Sequence, residues 1–226
     1  WLSDLGITFE RGSNAQRVGA GAMGSGPGLI KMYYDIARRQ GIDIVYETKM
    51  VELIQDPMGG VNGIIVRDKD GTQQINAKGI VLACGGFEAS SEMRSSYLGP
   101  HWKSARVRGS QFNTGDGHRA GMAIGAATTG QWNGYHGTPI DFDAPLSGSV
   151  TTVHQLPRRS YNLGIMLNLN GNRFTDEGER MGSDNFVHIA DKILQQPDNL
   201  AFQIFDQKVI QLIDTQYLRS TPIISN

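Results

Sequence analysis

The residues best placed to do chemistry in this chain fall into three groups. In the first, the apolar run Gly79-Ile80-Val81-Leu82-Ala83-Cys84 leads straight into Gly85-Gly86-Phe87. Glycines at the end of such a run let backbone-sized parts of a ligand approach closely. About thirty residues on, Asn113-Thr114-Gly115-Asp116-Gly117 presents backbone N–H groups and a carboxylate at the start of a helix. That is a good place to hold a polar ligand edge. The third group is cationic: Arg158-Arg159, Arg180 after Asp176-Glu177-Gly178-Glu179, and His136 in the Gly/Pro loop Tyr135–Pro139. Arginine's planar fork pairs bidentately with carboxylates, although an arginine after a hairpin is more often only solvated.

The elements that position these groups read as an α/β fold. Residues 79–83 are expected to form a strand buried on both faces, as in a parallel sheet, which makes Cys84 an inert core residue. Before it, Ile7–Glu10 reads as a short strand and 12–28 as a glycine-rich loop. Leu29, Met32, Tyr33, Ile36 and Ala37 mark one face of a helix ending near Gly41, and Ile42–Glu47 alternates as a strand. A β-meander follows, with strands at Met50–Ile54, Val61–Arg67 and Thr72–Ile75 and a hairpin turn at Asp70-Gly71. Ser90 caps a helix to Tyr97, and a further helix spans Asp116 to Gly125. After Gly130 the chain turns loop-rich. It resumes with a strand at Gly164–Asn168, a turn at Asn170-Gly171, a return at Arg173–Thr175, a helix over Ser183–Leu194 and a strand at Ala201–Phe205. Asp176 and Glu177 are candidates for a salt bridge with Arg173 inside that hairpin, Asp176 the first of them.

Composition excludes several classes. The chain has 226 residues, 39% hydrophobic, with a net charge of −1, which suggests neither nucleic acid nor a membrane surface as a partner. No apolar stretch approaches the roughly 20 residues of a membrane span. The single cysteine allows no internal disulfide, which fits a cytoplasmic location. No metal site is read. The opening at Trp1 and the polar end Ser225-Asn226 read as an internal piece of a longer protein.

Gly19-Ala20-Gly21-Ala22-Met23-Gly24 spells G-x-G-x-x-G, with Glu47 at the end of the next expected strand. The dinucleotide fingerprint needs a buried strand running into its first glycine, whereas Arg11–Arg17 is polar loop. An NAD(P)-binding oxidoreductase built on this loop is the alternative reading, and a catalytically silent isolated domain is another.

Taken in order, these motifs resemble the FAD-dependent flavoprotein family of fumarate reductase and succinate dehydrogenase. Residues 28–40, Gly41–Ile44, the meander, Val81–Phe87 and Thr114–Ala126 are similar to the second part of its FAD domain. Gly164–Glu177 and Phe202–Asp206 are similar to the hairpin and following strand of its mobile capping domain. Gly130–His136 and Gly164–Gly178 look most like tricarballylate dehydrogenase-like members.

The resemblance implies that residues 1–131 are the remainder of an FAD-binding domain and 132–226 the first part of a substrate-capping domain. It implies FAD as cofactor, with contacts from Val51, Ala83, Gly85, Gly86, Thr114, Gly115 and Asp116. The implied reaction is hydride transfer between flavin and a carbon–carbon bond beside a carboxylate, on a small di- or tricarboxylate. Arg180 would be the proton donor, one residue out of the family's spacing, and His136 would bind a substrate carboxylate. Arg159 would stand at the position of a further substrate arginine, but the family's preceding Glu is missing. That departure points to a polycarboxylate other than fumarate. Arg158 and Arg159 could equally bind a distal carboxylate.

Overall fold

A computed structural model describes residues 1–11, 20–22, 25–148, 157–179 and 185–213. The chain's contacts divide it into two compact units, Trp1–Met50 with Val66–Gln73, and Val51–Ile65 with the residues from Gln74 onwards.

In the first unit, β1 (Phe9–Arg11) pairs antiparallel with β2 (Ala20–Ala22). Helix α1 (Ser25–Arg39) follows, with Pro27 in its first turn, where a missing N–H costs nothing. Its apolar face buries Ile36, while Ile7 is buried in the preceding loop, and Thr8 Oγ1 donates to Met32 Sδ at 3.7 Å. The helix closes at Gly41, where Ile42 N–H donates back to Ala37 O at 3.0 Å. Residues 42–47, expected as a strand, have no ladder partner among the described residues, and Val45 and Tyr46 are exposed. Alternation alone cannot make a strand where no neighbour supplies the hydrogen bonds.

The meander is present as β3 (Lys49–Gln55), β4 (Val61–Asp68) and β5 (Gly71–Asn76), in that sheet order. Asp56 closes the first turn by accepting from Met58 and Gly60 N–H, and Asp68 the second by accepting from Asp70 and Gly71 N–H.

In the second unit the expected strand over 79–83 does not form. Residues 79–86 form no ladder among the described residues; Val81 is 90% exposed. Cys84 is likewise exposed and not core. An apolar run becomes a buried strand only between partners, and the described residues offer it none.

Beyond it, α2 (Ser91–Leu98) is capped by Ser90, whose hydroxyl accepts from Met93 N–H at 3.2 Å. Buried Arg94 donates to the carbonyls of Glu88, Trp102, Lys103 and Ala105, a charge held by backbone dipoles. Burial lowers its pKa below the ordinary guanidinium value. Helix α3 (Asp116–Ala123) comes next.

The last part is built on a small core of Tyr161, Met166 and Ile189, with Phe174, Phe186, Ile193 and Ala201 packed on it. It comprises β6 (Ile165–Leu167), helix α4 (Asn185–Leu194) and β7 (Phe202–Ile204), with β6 and β7 antiparallel and Met166 opposite Gln203. The expected return strand is reduced to a single bridge, Leu167 to Arg173. The salt bridge forms chiefly with Glu177 and not with Asp176, the partner expected first: Arg173 Nη2 lies 2.5 Å from Glu177 Oε2 and 4.0 Å from Asp176 Oδ1, and the other Glu177 carboxylate oxygen accepts from Met166 N–H at 2.6 Å. Burial pushes the Glu177 pKa up, but the bonds from Arg173 and Met166 outweigh it and hold the group below its ordinary value.

Candidate functional site

Two clusters of the expected site residues come together, both within the second unit. The first joins the two glycine motifs. Gly115 N–H donates to Gly86 O at 3.0 Å, and Ala89 N–H donates to Asn113 O at 2.9 Å. Gly115 precedes α3 at φ +80°, and a Cβ there would lie 2.3 Å from Met93 Sδ. Gly85 sits at φ +75°, and a Cβ would come within 2.6 Å of Asn113 Oδ1. Both positions therefore require glycine for conformation and for space. Thr114 is half-buried in the turn, and Asp116 pairs with Arg119 at 2.5 Å.

The first turn of α3 lies against the 79–84 segment, since a Cβ on Gly117 would be 3.1 Å from Cys84 Cβ. Ala83 and Gly85 are exposed along that segment, whereas Val51 stands half-buried on β3. The end of β3 reaches α3 through Gln55 Nε2, which donates to Ile124 O at 3.3 Å.

A cleft of about 460 Å³ opens beside this junction, lined by Cys84, Gly85, Phe87, Gly117, His118 and Trp132 among others. Phe87 stacks on Trp132 at 5.9 Å between centroids, and His118 stands edge-on to Trp132 at 5.1 Å. His118 Nδ1 is buried with no hydrogen-bond partner among the described residues.

The second cluster carries the cations. Arg158 and Arg159, equivalent in sequence, are separated by the fold. Arg158 is buried against Asp141 in an ion pair, so its charge is already matched. Arg159 is exposed; its guanidinium carbon lies 4.3 Å from the centroid of the Phe186 ring and its Nε donates to Thr138 Oγ1 at 3.3 Å. His136 is also exposed and meets the same ring at 5.1 Å, with planes at 64°. Burial lowers the pKa of Arg108, and the positive charge of Arg159 lowers it further, so two like charges are felt here.

The loop bearing His136 is anchored next door. Tyr135 hydrogen-bonds Asp191 of α4, and burial, the Asp191 charge and that bond all raise its pKa. His101 Nε2 lies 3.1 Å from the same carboxylate, and the Tyr135 ring packs on Trp102 at 4.2 Å. Arg180 lies outside the described residues. Phe186, Arg108, Thr138 and His118 were not singled out from sequence. His118 stood inside a motif read for its glycines and carboxylate, and Phe186 was legible only as part of a helical face.

The G-x-G-x-x-G loop takes another form. Ala20–Ala22, inside it, is the antiparallel strand β2, not the turn from a parallel strand into a helix that the fingerprint needs. Gly19, Met23 and Gly24 lie outside the described residues.

Comparison with known proteins agrees with the FAD reading. The model of a family described as FAD binding domain matches residues 3–212. A probable fumarate reductase, Ifc3, from Shewanella frigidimarina (strain NCIMB 400) is 31% identical over 218 residues, 92% of this chain and 35% of that protein. The 3-oxosteroid 1-dehydrogenase of Comamonas testosteroni is 35% identical over 102 residues, 45% of this chain and 18% of that protein. Among solved structures, the open conformation of a flavocytochrome c3 fumarate reductase aligns with a TM-score of 0.69 at 29% identity, covering 94% of this chain and 37% of that one. The chain thus spans little more than a third of the fumarate reductases it matches. On the match over residues 3–212 and the shared mixed helix-and-sheet fold, this chain belongs to the FAD binding domain family, and its cofactor is FAD.

Proposed function

We propose that this chain supplies part of the FAD site and part of the substrate site of an oxidoreductase acting on a carbon–carbon bond beside a carboxylate. The substrate would be a small di- or tricarboxylate. The observation that carries this reading is the convergence of Arg159 and His136 on one aromatic ring, with the Arg159 charge felt at Arg108. Like charges held close to one another favour an anionic ligand, whose binding relieves their repulsion.

The residues present fit FAD. Gly85, at positive φ, opens onto the cleft walled by Phe87 and Trp132, and His118 lines the cleft with a buried ring nitrogen that has no hydrogen-bond partner among the described residues. Ala83, Gly85, Gly86, Thr114, Gly115 and Asp116 would hold it from the junction of the two glycine motifs, and Val51 from β3. Bound FAD supplies the hydride acceptor or donor.

The chain's own residues then have separate tasks. Arg159 offers a planar fork to one carboxylate. His136 hydrogen-bonds a second carboxylate oxygen. Arg180, six positions before Phe186, delivers or accepts the proton at the carbon adjacent to the carboxylate. In this reading residues 1–131 form the cofactor side and 132–226 the capping side, which excludes water on closure. The missing Glu before Arg159 favours a polycarboxylate other than fumarate, and the Gly130–His136 and Gly164–Gly178 segments favour a tricarballylate-like one.

The test uses the full-length protein. Its absorption spectrum should show bound FAD, and it should turn over fumarate, succinate or tricarballylate. Arg159→Lys should lower kcat/KM by about tenfold to a hundredfold, since an ammonium cannot reproduce the bidentate fork. An FAD-loaded protein that ignores all three acids but oxidises a neutral 3-oxosteroid would sink the carboxylate reading.

A further inference from the structure

We propose that Phe186 is a positioning residue for the anion site, acting through Arg159 and His136 without touching the substrate. The inference rests on the anionic-substrate reading above and adds to it a residue with no chemistry of its own.

The geometry is specific. Phe186 is the second residue of α4, and its inner side packs on the core of Tyr161, Met166 and Ile189. It is therefore fixed from behind. In front it receives two groups from different loops: the Arg159 guanidinium at 4.3 Å from the ring centroid, and the His136 imidazole at 5.1 Å in an edge arrangement. An aromatic face attracts a cation, and tilted rings are a favoured pairing.

What the platform contributes is order. An exposed arginine gives up substantial rotamer freedom when a ligand fixes it, so holding it beforehand improves binding. Thr138 accepts from Arg159 Nε, which leaves the two terminal nitrogens, the end of the fork, outside that contact. The same helix also fastens the other arm. Asp191, five residues along from Phe186, binds Tyr135, the neighbour of His136. Helix α4 thus sets the relative position of both anion-binding groups, through Phe186 on one side and Asp191 on the other.

The experiment compares Phe186→Leu, which keeps apolar bulk but loses the ring face, with Phe186→Tyr, which keeps both. It uses the FAD-loaded full-length protein with isotope-labelled histidine. With no acid present, the His136 ring protons should carry a ring-current shift that Phe186→Leu abolishes and Phe186→Tyr preserves. Succinate affinity, read from flavin absorbance, should weaken about fivefold in Phe186→Leu and stay within about twofold in Phe186→Tyr, the scale of one cation–π contact.

His136 resonances unmoved by Phe186→Leu would overturn the proposal. Equal weakening of succinate binding in both variants would overturn it too, since packing alone would then explain the effect. If the His136 signature follows the ring but wild-type protein binds no succinate, the positioning role stands and the dicarboxylate reading fails.

Discussion

The segment Gly79–Cys84 and the strand Ile165–Leu167 are both short apolar runs, and they meet opposite fates. Val81 is 90% exposed in a stretch without a ladder among the described residues, whereas Met166 is 1% exposed on its strand. Length would rank them the other way, since 79–84 is the longer run. The difference lies in where their partners come from. Met166 pairs opposite Gln203, its N–H donates to Glu177, and the Asn168 side chain closes the adjoining turn by accepting from Asn170 and Asn172 N–H. All of these lie within forty residues of it. The 79–84 run has α3 against one side, through Gly117 and Gly121, and no strand on either edge among the described residues. Apolarity makes a segment worth burying, but only neighbours can bury it.

Truncation separates the two regions most sharply. Met166→Ala should cost about 2–5 kcal/mol by opening a cavity in a core of three residues. Val81→Ala in this chain should stay within about 0.5 kcal/mol, as at other exposed sites. Denaturant titration reads both, and equal costs would mean that the 79–84 run is packed after all.

A second substitution asks whether the exposed run is nonetheless anchored at its end. Gly115→Ala must hold φ +80° and displace Met93 Sδ from 2.3 Å, so a loss of about 2–3 kcal/mol is expected, together with loss of bound FAD. Unchanged FAD content would detach the Gly86–Gly115 junction from the cofactor.

A further effect, smaller than those at Met166 and Gly115, lies in the hairpin. Its sign follows from the depressed Glu177 pKa. A carboxylate held below its unfolded value stabilises the fold above that unfolded value, about 4.3, and the stabilisation fades as pH falls through the folded one. Glu177→Gln should therefore cost about 1.5–3 kcal/mol at pH 7, with the gap to wild type narrowing below about pH 4. A gap independent of pH would assign the loss to shape and not to charge.

What the sequence made legible follows the same division. The meander, the Ser90 cap, helix α3, the 170–171 turn and an Arg173 salt bridge, though with Glu177 and not Asp176 as its close partner, were all readable, because each is decided by residues close along the chain. The strands at 42–47 and 79–83 were over-read, since alternation and apolarity say nothing about who stands alongside. In the candidate site, the glycines announced themselves by their conformational demands. Arg158 and Arg159 could not be told apart until the fold set one against Asp141 and the other on Phe186. Phe186 itself was hidden, because a phenylalanine at helical spacing reads as core. It is core on one side only.

Buried Arg94 has a bearing on how the chain acquires its structure. The four carbonyls it collects, from Glu88 to Ala105, all lie within eleven residues of it. Gathering them closes no long loop, so little chain entropy opposes the event. Helix α2 and its flanks can thus assemble as soon as they leave the ribosome, ahead of every pairing that must wait for distant sequence. Pulse-labelled hydrogen exchange during refolding should find the amides of 91–98 protected before those of β6 and β7.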